Sequence, residues 1–246
     1  MNQRKFDDFD SYASDYRRLH TENVEKISGV DSDYFSAYKI VELRLHEKDE
    51  KAPVILDYGC GDGNSAAHIL RELKPIAYHG LDVSEESIAQ ARLRNLAGCH
   101  FQNFDGGAFP YESGTFDIVF IANVLHHIDP SVHAHILAEC HRVLVHGGRL
   151  YIFEHNPINP VTRKIVRDCV FDEDAVLVGS RYLRRVVMQA GFSVIKKRYT
   201  IFFPRKSFFK KLVSIEKCLY GCPLGGQYYL RCVKDLRVSD EEWARG

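Results

Sequence analysis

The 246-residue sequence predicts an α/β fold: a doubly wound, mostly parallel sheet with helices on both faces. Three observations carry that expectation. Apolar runs suited to strands alternate with helical patterns from Val54 to Glu154. A glycine-rich turn, Asp57-Tyr58-Gly59-Cys60-Gly61-Asp62-Gly63, joins the first apolar run to the first helix of that series. Glycines there allow positive φ and let a ligand approach the backbone, while unbonded N–H groups at the helix start would face it. The length suits one α/β domain with a sizeable core.

Taken in order, residues 1–50 are polar and net acidic, and Tyr34, Tyr38, Val41 and Leu45 recur at helical spacing. This segment is expected to form an N-terminal helical cap or lid, with residues 51–246 as the main domain. Strands are expected at 54–57, 76–82, 99–104, 116–122 and 149–154, and helices at 65–73, 85–95 and 131–144. Ser84 is a natural N-cap, with Glu85 and Glu86 in the first turn against the helix dipole. On 131–144, Val132, Ile136, Cys140, Val143 and Leu144 share a face, and Gly147-Gly148 is expected to end the helix. Asn156-Pro157 and Asn159-Pro160 read as a loop, 180–190 as a helix, and 192–199 and 227–233 as late strands.

Lys plus Arg and Asp plus Glu both number 33, and a zero net charge argues against a general nucleic-acid binder. Between Glu154 and Lys217, however, 14 basic residues face six acidic ones. That basic third, interleaved with Phe202, Phe203, Phe208 and Phe209, suits a phosphorylated or carboxylated acceptor or peripheral contact with an anionic surface. The first residues lack an apolar targeting segment, and the seven cysteines are odd in number and scattered. Both features point to a cytoplasmic protein in a reducing compartment. Cys218 and Cys222 lack the spacing of a zinc knuckle, and no metal is expected.

Spacing narrows the ligand. A dinucleotide fingerprint starting at Gly59 needs its third glycine where Asn64 stands. The form Asp57-x-Gly59-x-Gly61-x-Gly63 instead resembles motif I of class I, Rossmann-like S-adenosylmethionine (SAM) dependent methyltransferases of the type 11/25 kind. Four further matches follow at family spacing: Gly80-Leu81-Asp82-Val83, then Asp105 with Phe109-Pro110, then Phe116-Asp117-Ile118-Val119 leading to Asn123-Val124-Leu125-His126-His127-Ile128, then Arg142-Val143-Leu144 with Gly147-Gly148-Arg149-Leu150. The resemblance implies a seven-stranded sheet with an antiparallel last strand. It also implies SAM as cofactor and S-adenosylhomocysteine as product. The implied cofactor positions are Asp57, Gly59, Cys60, Gly61, Asn64, Asp82, Val83, Phe104, Asp105, Gly106 and Asn123. Asp82 would accept from the ribose hydroxyls and Asp105 from the adenine amine.

Methyl transfer asks the protein to align an acceptor, exclude water and, for a hydroxyl, remove a proton. His155 follows the fifth strand, and His126 and His127 follow the fourth, so these three are the candidate bases; each could equally serve packing. No Asp/Asn-Pro-Pro-aromatic sequence follows the fourth strand, which disfavours nucleobase amino methylation. Acceptor recognition is expected from 155–225, with Phe6, Phe9, Tyr12 and Tyr16 placed to fold over the pocket or simply to pack. Phrases such as Glu154-His155-Asn156-Pro157 and Pro223-Leu224-Gly225-x-Gln227-Tyr228 resemble bacterial methyltransferases associated with surface-glycan biosynthesis. They imply O-methylation of a small-molecule or glycan-precursor hydroxyl or carboxyl. A SAM-binding protein without catalysis and an NAD-dependent oxidoreductase stay open as alternatives, as does the oligomeric state.

Overall fold

The computed structural model describes residues 32–47, 51–169, 175–203 and 215–235. In chain order these form α1 (Ser32–Arg44), β1 (Val54–Tyr58), α2 (Asn64–Leu73), β2 (Ala77–Asp82), α3 (Glu85–Leu93), β3 (Cys99–Asn103), β4 (Phe116–Ala122), α4 (His133–Val143), β5 (Leu144–His155), α5 (Pro160–Arg167), α6 (Ser180–Gln189), β6 (Phe192–Thr200) and β7 (Gln227–Lys234). The aromatics at 6–16, residues 170–174 and the basic 204–214 stretch lie outside the described residues.

One seven-stranded sheet runs in the order β3-β2-β1-β4-β5-β7-β6, and β7 runs antiparallel to both of its neighbours, β5 and β6. The order reverses between β1 and β4, the place where open α/β sheets offer a crevice at their strand tips. On one face, Ile40 and Leu43 of α1 and Ala66 and Ile69 of α2 pack on Ile55, Phe120, Tyr151 and Phe153. On the other, Ile136 and Leu137 of α4 and Leu183 and Val187 of α6 pack on Leu56, Val119, Leu150 and Ile152. The central strands are buried on both sides, which is why β1 and β4 read as near-continuous apolar runs. No helix among the described residues is long and apolar enough to cross a membrane.

Several elements differ from the sequence expectations for identifiable reasons. Helix α1 forms, but Val41 and Leu45 are exposed while Ile40 and Leu43 are buried. The face turned inward also carries Lys39 and Glu42, and Glu47 follows just past the helix; their charges meet partners that hydropathy does not register. Gly147 and Gly148 do not end a helix: α4 stops at Val143, and the pair lies in β5 where the ladder to β4 shifts register between Phe116 and Ile118. Gly147 takes φ +73 there, a conformation that favours glycine. The expected loop at 156–160 opens a helix, because Asn159 caps α5 through Thr162 N (2.9 Å) and Pro160 occupies its first turn. Ser84 caps α3 as expected, accepting from Ser87 N at 3.1 Å.

Candidate functional site

The site is built where β1, β2, β4 and β5 end. After Tyr58 the chain turns sharply: Gly59 takes φ +72, and a Cβ on it would overlap the Val124 side chain across the β1/β4 crevice. Gly61 takes φ +52 with nothing within 4 Å of a would-be Cβ, so this glycine borders open space. The two glycines therefore serve packing and access respectively. Amides of the loop itself, ahead of the helix start, are already engaged within the protein. Gly59 N (2.7 Å) and Cys60 N (3.3 Å) donate to Leu81 O, and Gly61 N donates to Asp82 Oδ2 at 2.8 Å. The Asp82 carboxylate also accepts from Ser84 N at 2.9 Å, so it clamps the glycine loop to the start of α3. Each carboxylate oxygen carries two lone pairs, which leaves acceptor capacity for a ligand's hydroxyls.

The other predicted positions separate into those facing the crevice and those engaged elsewhere. Asp57 is 2% exposed and accepts from Tyr78 Oη at 2.7 Å. Burial pushes its carboxyl up to about 7, with Asp82 adding to the rise and the Tyr78 bond and Lys39 opposing it. Asn123 takes φ +57 at the β4 tip, and its buried Oδ1 has no hydrogen-bond partner. Asp105 is exposed after β3 and accepts from Gly107 N at 2.9 Å. Val83 and Gly106 are half-buried nearby in sequence to Asp82 and Asp105, while the Phe104 ring packs inward against Tyr58 and Phe109. The Cys60 thiol is raised well above its usual value by burial, and it stays protonated. Asn64 is drawn away: its side-chain amide donates to Ser36 Oγ of α1 at 2.9 Å.

The three histidines do converge. Glu154, fully buried at the end of β5, accepts from Leu125 N (2.8 Å) and Val124 N (3.2 Å) through Oε1, and its Oε2 lies 2.7 Å from His126 Nδ1. Burial by itself would raise this carboxyl, but His126, His155 and the Leu125 amide together hold it below its ordinary range. The His126 ring lies 4.1 Å from that of His127 and 5.1 Å, edge-on, from that of His155. The contact with Glu154 through Nδ1 fixes the orientation of the His126 ring.

Two residues of the site escaped sequence reasoning. Glu154 ends an apolar strand, a charged residue where a buried run stops, and that was the available signal. Lys39 gave none, because it arrives from α1 through tertiary packing. It is 5% exposed, and burial holds its amine down to about 8 against the Glu154 and Asp57 carboxylates, which pull it up.

The atoms offered at the crevice are mostly acceptors: Asp57, Asp82, Asp105 and the orphaned Asn123 Oδ1. Such a set fits a ligand with hydroxyls, an ammonium and an exocyclic amine, and suits a pyrophosphate poorly. Residues 55–148 match the family model described as a methyltransferase domain. Residues 55–148 form a methyltransferase domain. Its fold is the class I, Rossmann-like one, and S-adenosylmethionine is its cofactor.

The chain is 34% identical over 108 residues to phthiotriol/phenolphthiotriol dimycocerosates methyltransferase 1 of Mycobacterium ulcerans, covering 44% of this chain and 39% of that protein. It is 30% identical over 130 residues to the fatty-acid O-methyltransferase of Mycolicibacterium smegmatis, covering 52% and 47%. The matches thus span less than half the length of these curated relatives. The crystal structure of a SAM-dependent methyltransferase from Thermotoga maritima has the same fold, with a TM-score of 0.67 at 18% identity over 94% of this chain and 100% of that one.

The carboxyl of Asp57 gives the methyltransferase domain a pH signature. Its folded value, about 7, lies above the unfolded value near 3.8, so the ligand-free protein keeps a proton that the unfolded chain releases. This group therefore weakens the ligand-free fold as pH rises from about 4 to about 7. A cationic ligand prefers the ionised form, so SAM affinity is expected to rise between pH 6 and 8. Titration calorimetry at several pH values checks this, and Asp57→Asn should flatten the acid limb. Equal affinity at pH 6 and 8 in the unaltered protein would rule Asp57 out as the ligand's counter-ion.

Proposed function

We propose that this protein transfers a methyl group to an oxygen, hydroxyl or carboxyl, of a small acceptor or glycan precursor, with His155 as the base when the acceptor is a hydroxyl. The observation that carries the reading is the Glu154–His126–His155 cluster at the β5 tip, beside the acceptor-rich crevice of the methyltransferase domain. S-adenosylmethionine, when bound, supplies an electrophilic methyl group on a sulfonium. Asp82 and Asp105 offer acceptors to hydroxyl and amine groups, and Asp57 offers a carboxylate to a cation. Glu154 holds the His126 ring, and His126 in turn restricts the ring of His155, which keeps one imidazole at the strand tips in a defined orientation.

An acceptor with an apolar portion fits the rim. The loop after β5 is stitched to the segment before β7 by Asn156 Nδ2 to Gly225 O (2.7 Å) and Asn159 Nδ2 to Leu224 O (2.6 Å). This junction leaves Ile158, Val161 and Leu224 each more than half exposed. The curated relatives named for fatty-acid O-methylation and for phthiotriol dimycocerosates support a lipid-bearing acceptor, and a lipid-linked glycan precursor combines both features.

Release of S-adenosylhomocysteine, measured over a panel of hydroxylated and carboxylated lipids and glycan precursors, tests the reading. His155→Ala should lower kcat for a hydroxyl acceptor by about 100-fold while SAM affinity stays within about three-fold. Unchanged turnover removes His155 as the base. SAM binding without turnover on any acceptor favours the non-catalytic alternative.

A further inference from the structure

The sheet face covered by α1 ends, towards β6, in a cluster of cations that the methyl-transfer site does not use. Lys196 of β6 stands directly opposite Arg231 of β7, and Arg198, two residues along, shares that face opposite Tyr229. Like charges set opposite one another across an antiparallel pair destabilise it. Among the described residues the carboxylate that reaches the cluster is Glu42, with Oε2 3.8 Å from an Arg198 nitrogen. Its oxygens already accept from the hydroxyls of Tyr220 (2.5 Å) and Tyr229 (3.3 Å). His46 reports the resulting field: burial, and then Lys196, Arg198 and Arg231, hold its imidazole down to about 4 against a smaller pull from Glu47.

The two arginines are also held in place. Arg231 Nε donates to Tyr151 Oη at 2.9 Å, Tyr151 Oη donates to Glu47 at 2.6 Å, and Arg149 clamps Glu47 at 2.7 Å. Arg198 lies 4.6 Å from the centre of the Tyr220 ring. A guanidinium tethered through Nε keeps its terminal amino groups for another partner. Beside an ammonium, that fork matches the geometry of a tetrahedral oxyanion.

We propose that Lys196, Arg198 and Arg231 form a binding site for a phosphate group on the α1-covered face of β6 and β7. Arg231 lies four residues along β7 from Gln227, the register partner of His155 at the strand tips, a separation of about 13 Å. The site is therefore an exosite, and its occupancy is independent of methyl transfer. The phosphate arrives either on a soluble ligand or as a lipid headgroup.

Calorimetry with inorganic phosphate, without SAM and at an ionic strength matched with chloride, is expected to show saturable binding. Lys196→Gln should weaken it by about ten-fold, and Lys196→Arg should keep it within about three-fold. Because Lys196→Gln relieves a like-charge contact, its Tm in chloride should equal or exceed that of the unaltered protein, which separates lost binding from a lost fold. Cosedimentation with phosphatidylglycerol/phosphatidylcholine vesicles, lost in Lys196→Gln, assigns the phosphate to a headgroup. Saturable phosphate binding with no preference over pure phosphatidylcholine vesicles assigns it to a soluble ligand. The proposal is overturned if the unaltered protein shows no saturable phosphate binding, or if Lys196→Gln binds phosphate equally well. In that case Lys196 serves to guard an edge strand against pairing.

Discussion

Glu154→Ala is expected to destabilise the protein by about 3–5 kcal/mol, because it breaks a fully buried charged contact and leaves its partners unpaired. Three donors converge on that carboxylate: the amides of Val124 and Leu125 and the Nδ1 of His126. The Leu125 and His126 contacts are buried, away from water that could replace the carboxylate. In a domain of this size the loss corresponds to a Tm lower by roughly 10 °C, read by thermal denaturation. Glu154→Gln separates stability from chemistry. Its amide oxygen can still accept from Leu125 N, so the fold should lose less, but its NH2 group faces His126 Nδ1 and forces the ring's proton to Nε2. Turnover should then fall while SAM affinity holds. The stabilising effect of Glu154 also has a pH window: its folded value lies below the ordinary carboxyl value of 4.5, so the contribution is complete above that pH and is lost as pH falls further. A Glu154→Ala protein as stable as the unaltered one would show that the cluster does not hold the β4 and β5 tips together.

Asp82→Ala should lower SAM affinity by about 100-fold or more while leaving the protein folded. Each hydrogen bond to an ionised group contributes about 1.5–3 kcal/mol. The change removes those offered to the ligand together with the bonds from Gly61 N and Ser84 N that shape the loop. The side chain is only half-buried, so no comparable penalty falls on the core. Asp82→Asn keeps one acceptor and should fall between the two. Calorimetry with SAM gives the affinity and circular dichroism verifies the fold; full SAM affinity in a folded Asp82→Ala protein would place the ligand elsewhere.

Local chemistry was legible in the chain where a residue's role depends on its sequence neighbours. Ser84 caps α3 because its hydroxyl needs only the amide three residues on, and the glycine turn follows β1 because positive φ is a local demand. The apolar runs of β1 and β4 announced strands buried on both faces. Hydropathy failed on α1, where Lys39 and Glu42 turn inward and Val41 outward, since their partners lie on other strands and loops. Local reading also failed at the second Asn-Pro pair of 156–160, which read as loop although Asn159 and Pro160 together start a helix.

The sequence by itself determined the alternation of strands and helices, the glycine turn after β1, and the carboxylates at or near the ends of β1 and β2, because spacing along the chain is enough to place them. Only the tertiary structure decided which loop amides were already taken, which oxygen at Asn123 was left without a donor, and that Glu154 binds His126 beside His155. It alone also set Lys196 against Arg231. The physical reason is that desolvation and charge pairing act through space. Residues such as Glu154 and His126, or Lys196 and Arg231, are about 30 positions apart in the chain, and the sheet brings each pair together.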